Sequence, residues 1–207
     1  MSLRTAQTNY LTHMLLTIEL LPFIAKAPAP RVVYTSSWAA TGPSSSWRAT
    51  PSTVHGDYLA DNFGVWGQRH AKGMSRYGEC KLVQLLGMRA LQRALDGAPQ
   101  YRHVILHATH PGVVLSGMVD KDHGLPSWLQ WLLKRLMTLF AISPAEGAMT
   151  NIVAGASDDA GDQDKKGSFW TSCTRTQMPE RAMDDEARDE VWAISLRDLG
   201  LSTEWKP

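Results

Sequence analysis

Apolar positions at Tyr10, Met14, Ile18 and Leu21 recur at the 3.6-residue period and predict a helix over residues 5–25. Leu11, Leu15 and Leu20 are expected to widen its buried stripe, and Pro28 and Pro30 to end it. The β-branched run Arg31–Ser37 predicts a buried strand closing on hydroxyls. From Trp38 to Arg76 the pattern loses its period, as in a functional loop or insertion, with a short helix expected near 57–63. Helical spacing returns at Tyr77 and continues to Leu95, with Leu82, Leu85, Leu86, Leu91 and Leu95 facing inward and Asp96-Gly97 as the stop. His103–Ala108 predicts a second buried strand, running into a tight turn over His110–Ser116. The segment Trp128–Phe140 is apolar nearly all round, and three readings of it stay open: core helix, lid over an apolar ligand, or interfacial helix. Ser143-Pro144 marks the start of a helix to Ala156, Ser168–Thr171 reads as a third short strand, and Asp184–Leu199 as a final surface helix ending at Gly200.

Helices alternating with strands in this order imply an α/β chain whose parallel strands are joined by crossover helices. At 207 residues this is one domain, 1–207. A net charge of +1 without any Lys/Arg stripe excludes nucleic acid as the expected partner. Cys80 and Cys173 have no metal-binding or disulfide spacing, so the expectation is a reducing, cytoplasmic setting and no metal site. His103 and His107 would share one face of a strand, but no carboxylate or cysteine joins them. The run Met14–Ala25 could pass for a signal peptide, yet Glu19 and Pro22 interrupt it, and no run reaches the ~20 apolar residues of a membrane-spanning helix.

Candidate chemistry lies in Tyr77-Gly78-Glu79-Cys80-Lys81. A tyrosine and a lysine four residues apart on a helix share a face, and an ammonium near a phenol favours the phenolate. Tyr77 is thus a candidate general acid or base. Ser37 at a strand end and Pro111-Gly112 at the next strand end are expected at the same edge of the sheet, where ligands bind in open α/β folds.

These separated features resemble the catalytic part of a short-chain dehydrogenase/reductase, nearest the retinol-dehydrogenase-like branch. Thr8–His13 with Leu15-Leu16 is similar to the helix carrying that family's asparagine, and Val32–Ser37 to its serine strand. Tyr77 and Lys81 resemble its Tyr-x-x-x-Lys pair, with Cys80 where a serine is common. His110–Val114 followed by Ser116 resembles the turn against the nicotinamide, and Pro144–Ala148 the helix start after the substrate loop. The likeness covers residues 5–200. It departs in several respects: no Gly-rich turn of the Thr-Gly-x-x-x-Gly-x-Gly kind occurs, the residue choosing between NAD and NADP and the Asn-Asn-Ala-Gly segment are absent, and the Ser37–Tyr77 gap is long.

The resemblance implies a Rossmann-like parallel sheet with crossover helices, truncated at its N-terminal side and lacking the cofactor-binding half. It implies an oxidoreductase interconverting an apolar secondary alcohol with a ketone, or an aldehyde, using NADP or NAD. Asn9, Ser37, Tyr77 and Lys81 are then the catalytic residues. Tyr77, Lys81, Pro111, Gly112, Val114 and Ser116 would contact the cofactor. Residues 128–140 would cover the substrate or make an interfacial membrane contact. The helices of residues 5–25 and after Tyr77 imply a homo-oligomer. The rival expectation is a non-redox relative acting as a binding or assembly subunit, or an incomplete gene product.

Overall fold

A computed structural model describes residues 7–41, 74–114, 141–202 and 205–207, and Arg135. The stretch 42–73 with the short helix expected near 57–63, Ser116, and the apolar segment 128–140 apart from Arg135 lie outside the described residues.

The first described element is a π-helical turn, Gln7–Leu11, which continues as α1 (Thr12–Ile24). Tyr10, Met14, Ile18 and Leu21 form the buried stripe the period predicts. Leu15 and Leu20 do not widen it. With Leu16 and Phe23 they face outward. Strand β1 is Arg31–Thr35, two residues shorter than expected, and a 3-10 turn follows at Trp38–Thr41. Helix α2 (Met74–Asp96) starts one turn earlier than the hydrophobic pattern indicates, so Tyr77 sits in its first turn rather than at its opening. Strand β2 (Ile105–His110) lies two residues later than expected, which leaves His103 outside it. Helix α3 (Pro144–Ala156), β3 (Phe169–Thr171), β4 (Thr174–Thr176) and α4 (Asp185–Asp198) complete the described elements.

The sheet order is β1-β2-β3-β4. The first two pairings are parallel, with Val33 opposite His107 and Ala108 opposite Phe169. The expected all-parallel sheet is corrected at its end, where β4 returns antiparallel through a two-residue turn. Ser172 and Cys173 occupy that turn at φ 49° and 62°, the left-handed region a tight hairpin turn needs. No Gly or Asn announces it.

Alternation along the strands separates two layers. Tyr34, Leu106, Ala108 and Phe169 face the main core with residues of α1, α2 and α4. Val33 and Trp170 on the opposite face pack with Val153 and Ala154 of α3. Helix α2 lies between these elements. It touches the π turn, the 3-10 turn, β2 and α4, and is buried almost all round from Gly78 to Leu91. Gly87 permits the closest of these contacts, since a Cβ there would fall 2.1 Å from the Tyr10 hydroxyl. That hydroxyl is 2.7 Å from Ser195 Oγ, tying the π turn to α4. No helix among the described residues is long and apolar enough to cross a membrane.

Candidate active site

Parallel pairing of β1 with β2 brings the ends Thr35–Ser37 and His110–Gly112 to one edge of the sheet. The first turns of α2 arrive at the same edge. Lys81 fixes the junction: its ammonium, on a side chain buried almost completely, donates to Thr35 O at 2.7 Å and to Gln84 Oε1 at 3.3 Å. The ammonium also lies 5.7 Å from the centroid of the Tyr77 ring, within cation–π reach. Burial pushes the Lys81 pKa below its ordinary value, and the neighbouring Cys80 opposes that shift weakly. Cys80 itself, buried beside Glu79, is pushed up to about 12 and stays a thiol.

Gly78 lets the two backbones meet. An ideal Cβ there would lie 2.5 Å from Ala39 O, so the turn after Ser37 is seated directly on the turn carrying Tyr77. Ser37 Oγ accepts from Ala39 N at 3.2 Å and so shapes that 3-10 turn, while its hydroxyl proton remains a donor. Ser36 N donates to Thr109 O at 2.7 Å, holding the two strand ends together.

Asn9 joins the cluster through its backbone: Gln84 Nε2 donates to Asn9 O at 3.1 Å. Pro111, Gly112 and Val114 reach the same edge. Gly112 adopts φ 89°, which only glycine takes without strain, and Val114 packs where a Cβ on Gly147 would lie 2.5 Å from its Cγ2. The Pro111–Val114 turn thereby abuts the first turn of α3, itself fixed by a capping box in which Ser143 Oγ accepts from Glu146 N and Glu146 accepts from Ser143 N.

Two side chains of the site had no role of their own in the sequence reading. His110 accepts from Trp38 N through Nδ1 at 3.2 Å, which makes Nε2 the protonated nitrogen of the neutral ring. Burial lowers its pKa. Gln84 bridges Lys81 to Asn9. His110 opens the turn motif His110–Val114 and Gln84 stands one turn from Lys81, but neither position by itself announced the partner it finds. His103 and His107 do not form a pair: His103 Nε2 meets Ala25 O and His107 Nε2 meets Ala160 O, each at 2.9 Å.

An ammonium carries three donors, and among the described residues two of those on Lys81 are engaged, so one is left for a ligand hydroxyl beside Tyr77. The ribose of a dinucleotide carries hydroxyls of that kind. The chain holds no Gly-rich turn to receive the pyrophosphate.

No family model matches the chain. Retinol dehydrogenase 12 of Mus musculus is 30% identical over 196 residues, covering 95% of this chain and 54% of that protein. Retinol dehydrogenase 14 of Homo sapiens is 27% identical over 193 residues, 93% of this chain and 51% of that protein. Dehydrogenase/reductase SDR family member 13 of Bos taurus is 28% identical over 195 residues, 94% of this chain and 46% of that protein. The chain thus spans about half the length of the curated relatives it matches. An uncharacterized protein of Mycobacterium paratuberculosis, known from its crystal structure, shares the fold at TM-score 0.51 and 19% identity, over 97% of this chain and 60% of that one. Over nearly its whole length the chain is thus similar to proteins named as retinol dehydrogenases and as a dehydrogenase/reductase SDR family member, and in it Tyr77 and Lys81 stand at one edge of an α/β sheet.

Proposed function

We propose that the chain carries the proton-transfer site of an NAD(P)-dependent oxidoreductase acting on an apolar alcohol and its ketone or aldehyde. One observation carries this reading: the buried Lys81 ammonium is held over the Tyr77 ring and against the strand end that leads to Ser37. Tyr77 gives a proton to the substrate oxygen in reduction and takes it back in oxidation. Ser37 donates a hydrogen bond to that oxygen as charge develops on it. Lys81 offers its remaining N–H to the nicotinamide ribose, while Asn9 supports Lys81. Pro111, Gly112 and Val114 border the nicotinamide. The dinucleotide, NADP or NAD, supplies or accepts the hydride when bound.

Retinol, named for two of the relatives, is the first substrate to try. A titration of NADPH and NADH followed by tryptophan fluorescence reads binding, and turnover of retinol and retinal reads chemistry. Tyr77→Phe is expected to abolish turnover while the far-ultraviolet circular dichroism stays native, since only a hydroxyl is lost. Retained turnover in that variant would make the tyrosine structural.

A second reading, a binding or assembly subunit without redox activity, is favoured by the position of β1. It lies at the end of the sheet order, so among the described residues its second edge has no strand partner. Self-association over that edge gives a homo-oligomer. Sedimentation of the purified chain tests this, and a monomer at tens of micromolar would refute it.

A further inference from the structure

Gln84 is the residue at this edge that the family resemblance does not supply, and it is almost fully buried. Both ends of its amide are used. Oε1 accepts from the Lys81 ammonium at 3.3 Å, and Nε2 donates to the Asn9 carbonyl at 3.1 Å. These partners leave the amide one orientation, because an ammonium only donates and a carbonyl only accepts. A flipped amide would set donor against donor and acceptor against acceptor, at a buried site where unpaired polar groups are costly.

We infer that Gln84 is a positioning residue of the proton-transfer site, its amide clamping the Lys81 ammonium to the backbone of the π-helical turn at Asn9. The inference rests on the reading of Tyr77 and Lys81 as the proton-transfer pair. Through the side chain of Gln84 the Lys81 ammonium is linked to the Asn9 carbonyl. The consequence is mechanical. Lys81 is pinned at Thr35 O from the strand and at Gln84 from its own helix, so the third N–H has a set direction instead of sweeping a cone. The groups beside the ammonium are the Tyr77 ring and the Cys80 thiol, whose pKa of about 12 keeps it uncharged.

Two substitutions separate clamping from packing. Gln84→Glu keeps an acceptor for Lys81 and adds a negative charge, but turns an oxygen toward the Asn9 carbonyl. Gln84→Met keeps the volume and removes both hydrogen bonds. The Lys81 titration, followed by the 13C shift of its Cε and assigned by its loss in Lys81→Met, is expected to move up in Gln84→Glu and further down in Gln84→Met. A midpoint unmoved in both variants, with native circular dichroism, would overturn the clamp. Should either variant fail to fold, the unsubstituted chain decides: slow exchange of the Gln84 side-chain amide protons, with contacts to Asn9, supports the clamp, and exchange at the rate of a free amide overturns it. The readout is independent of turnover. Absence of activity with NADPH and NADH would overturn the oxidoreductase reading, and the Lys81 titration would still decide the role of Gln84.

Discussion

Replacing Gly78 with alanine tests whether the Ser37 turn is seated on the Tyr77 turn. The added Cβ would stand 2.5 Å from Ala39 O and 3.3 Å from Ala39 C, whereas ordinary contact begins at 3.4 Å. One of the two segments must therefore yield by about 0.9 Å (3.4 less 2.5). The obstacle is backbone, and its turn is held by Trp38 N on His110 Nδ1 and by Ala39 N on Ser37 Oγ. It cannot swing aside as a flexible side chain would. Overpacking of this kind costs about 1–3 kcal/mol. Alanine regains about 1 kcal/mol over glycine in a helix, so the net change is about 0–2 kcal/mol destabilising. Gly155→Ala in the last turn of α3 is the comparison, since its Cβ would meet only Val33 Cγ2 at an ordinary 3.6 Å. There the helix gain stands almost alone, and stabilisation of up to about 1 kcal/mol is expected. The helix gain largely cancels between the variants, leaving a difference of about 1–3 kcal/mol that reports the contact itself. Urea unfolding followed by circular dichroism reads both. Equal stabilities for the two variants, within about 0.5 kcal/mol, would refute the close approach and with it the convergence of Ser37 on Tyr77.

Other expectations follow from single interactions. Ser143→Ala removes the cap of α3 and should cost about 1 kcal/mol in urea unfolding; an unchanged midpoint would deny the capping box a part in holding the Pro111–Val114 turn. His107 and His110 both have pKa values lowered by burial, so the unfolded chain binds more protons below pH ~6.5. Their contribution is complete above that value and is lost as pH falls from it through the lower folded-state values. Unfolding midpoints should therefore drop between pH 7.5 and 5.5, and a flat or rising profile would contradict the buried neutral rings. Cys80, buried with its pKa pushed up to about 12, should resist iodoacetamide in the native chain and react once the chain is unfolded, as mass spectrometry of peptides would show. Rapid native labelling of Cys80 would contradict its place in the core.

What the sequence by itself determined are the features written within a few residues of one another. The 3.6-residue spacing of Tyr10, Met14, Ile18 and Leu21 predicted the buried side of α1, because a helix returns to the same face at that interval. Ser143-Pro144 predicted the start of α3 by local capping, and Gly200 the end of α4, where φ is 69°. Strand alternation was legible as strands, though their ends moved by two residues at β1 and β2. The tertiary structure alone decided which faces meet. Leu15 and Leu20 continue an apolar pattern yet face outward, since burial depends on how many neighbours arrive and not on side-chain type. Helix α2 is the converse: Gln84 and Gln92 read as polar positions, but the elements packed around that helix bury them and oblige their amides to find partners. β4 has no apolar alternation and a turn of Ser172 and Cys173, so its pairing with β3 depends on a backbone conformation the residue types do not announce. The candidate site shows the division at one atom. That Tyr77 and Lys81 share a helix face follows from four-residue spacing, whereas the Thr35 carbonyl receiving Lys81 lies 46 residues away and was fixed only by parallel pairing of β1 with β2.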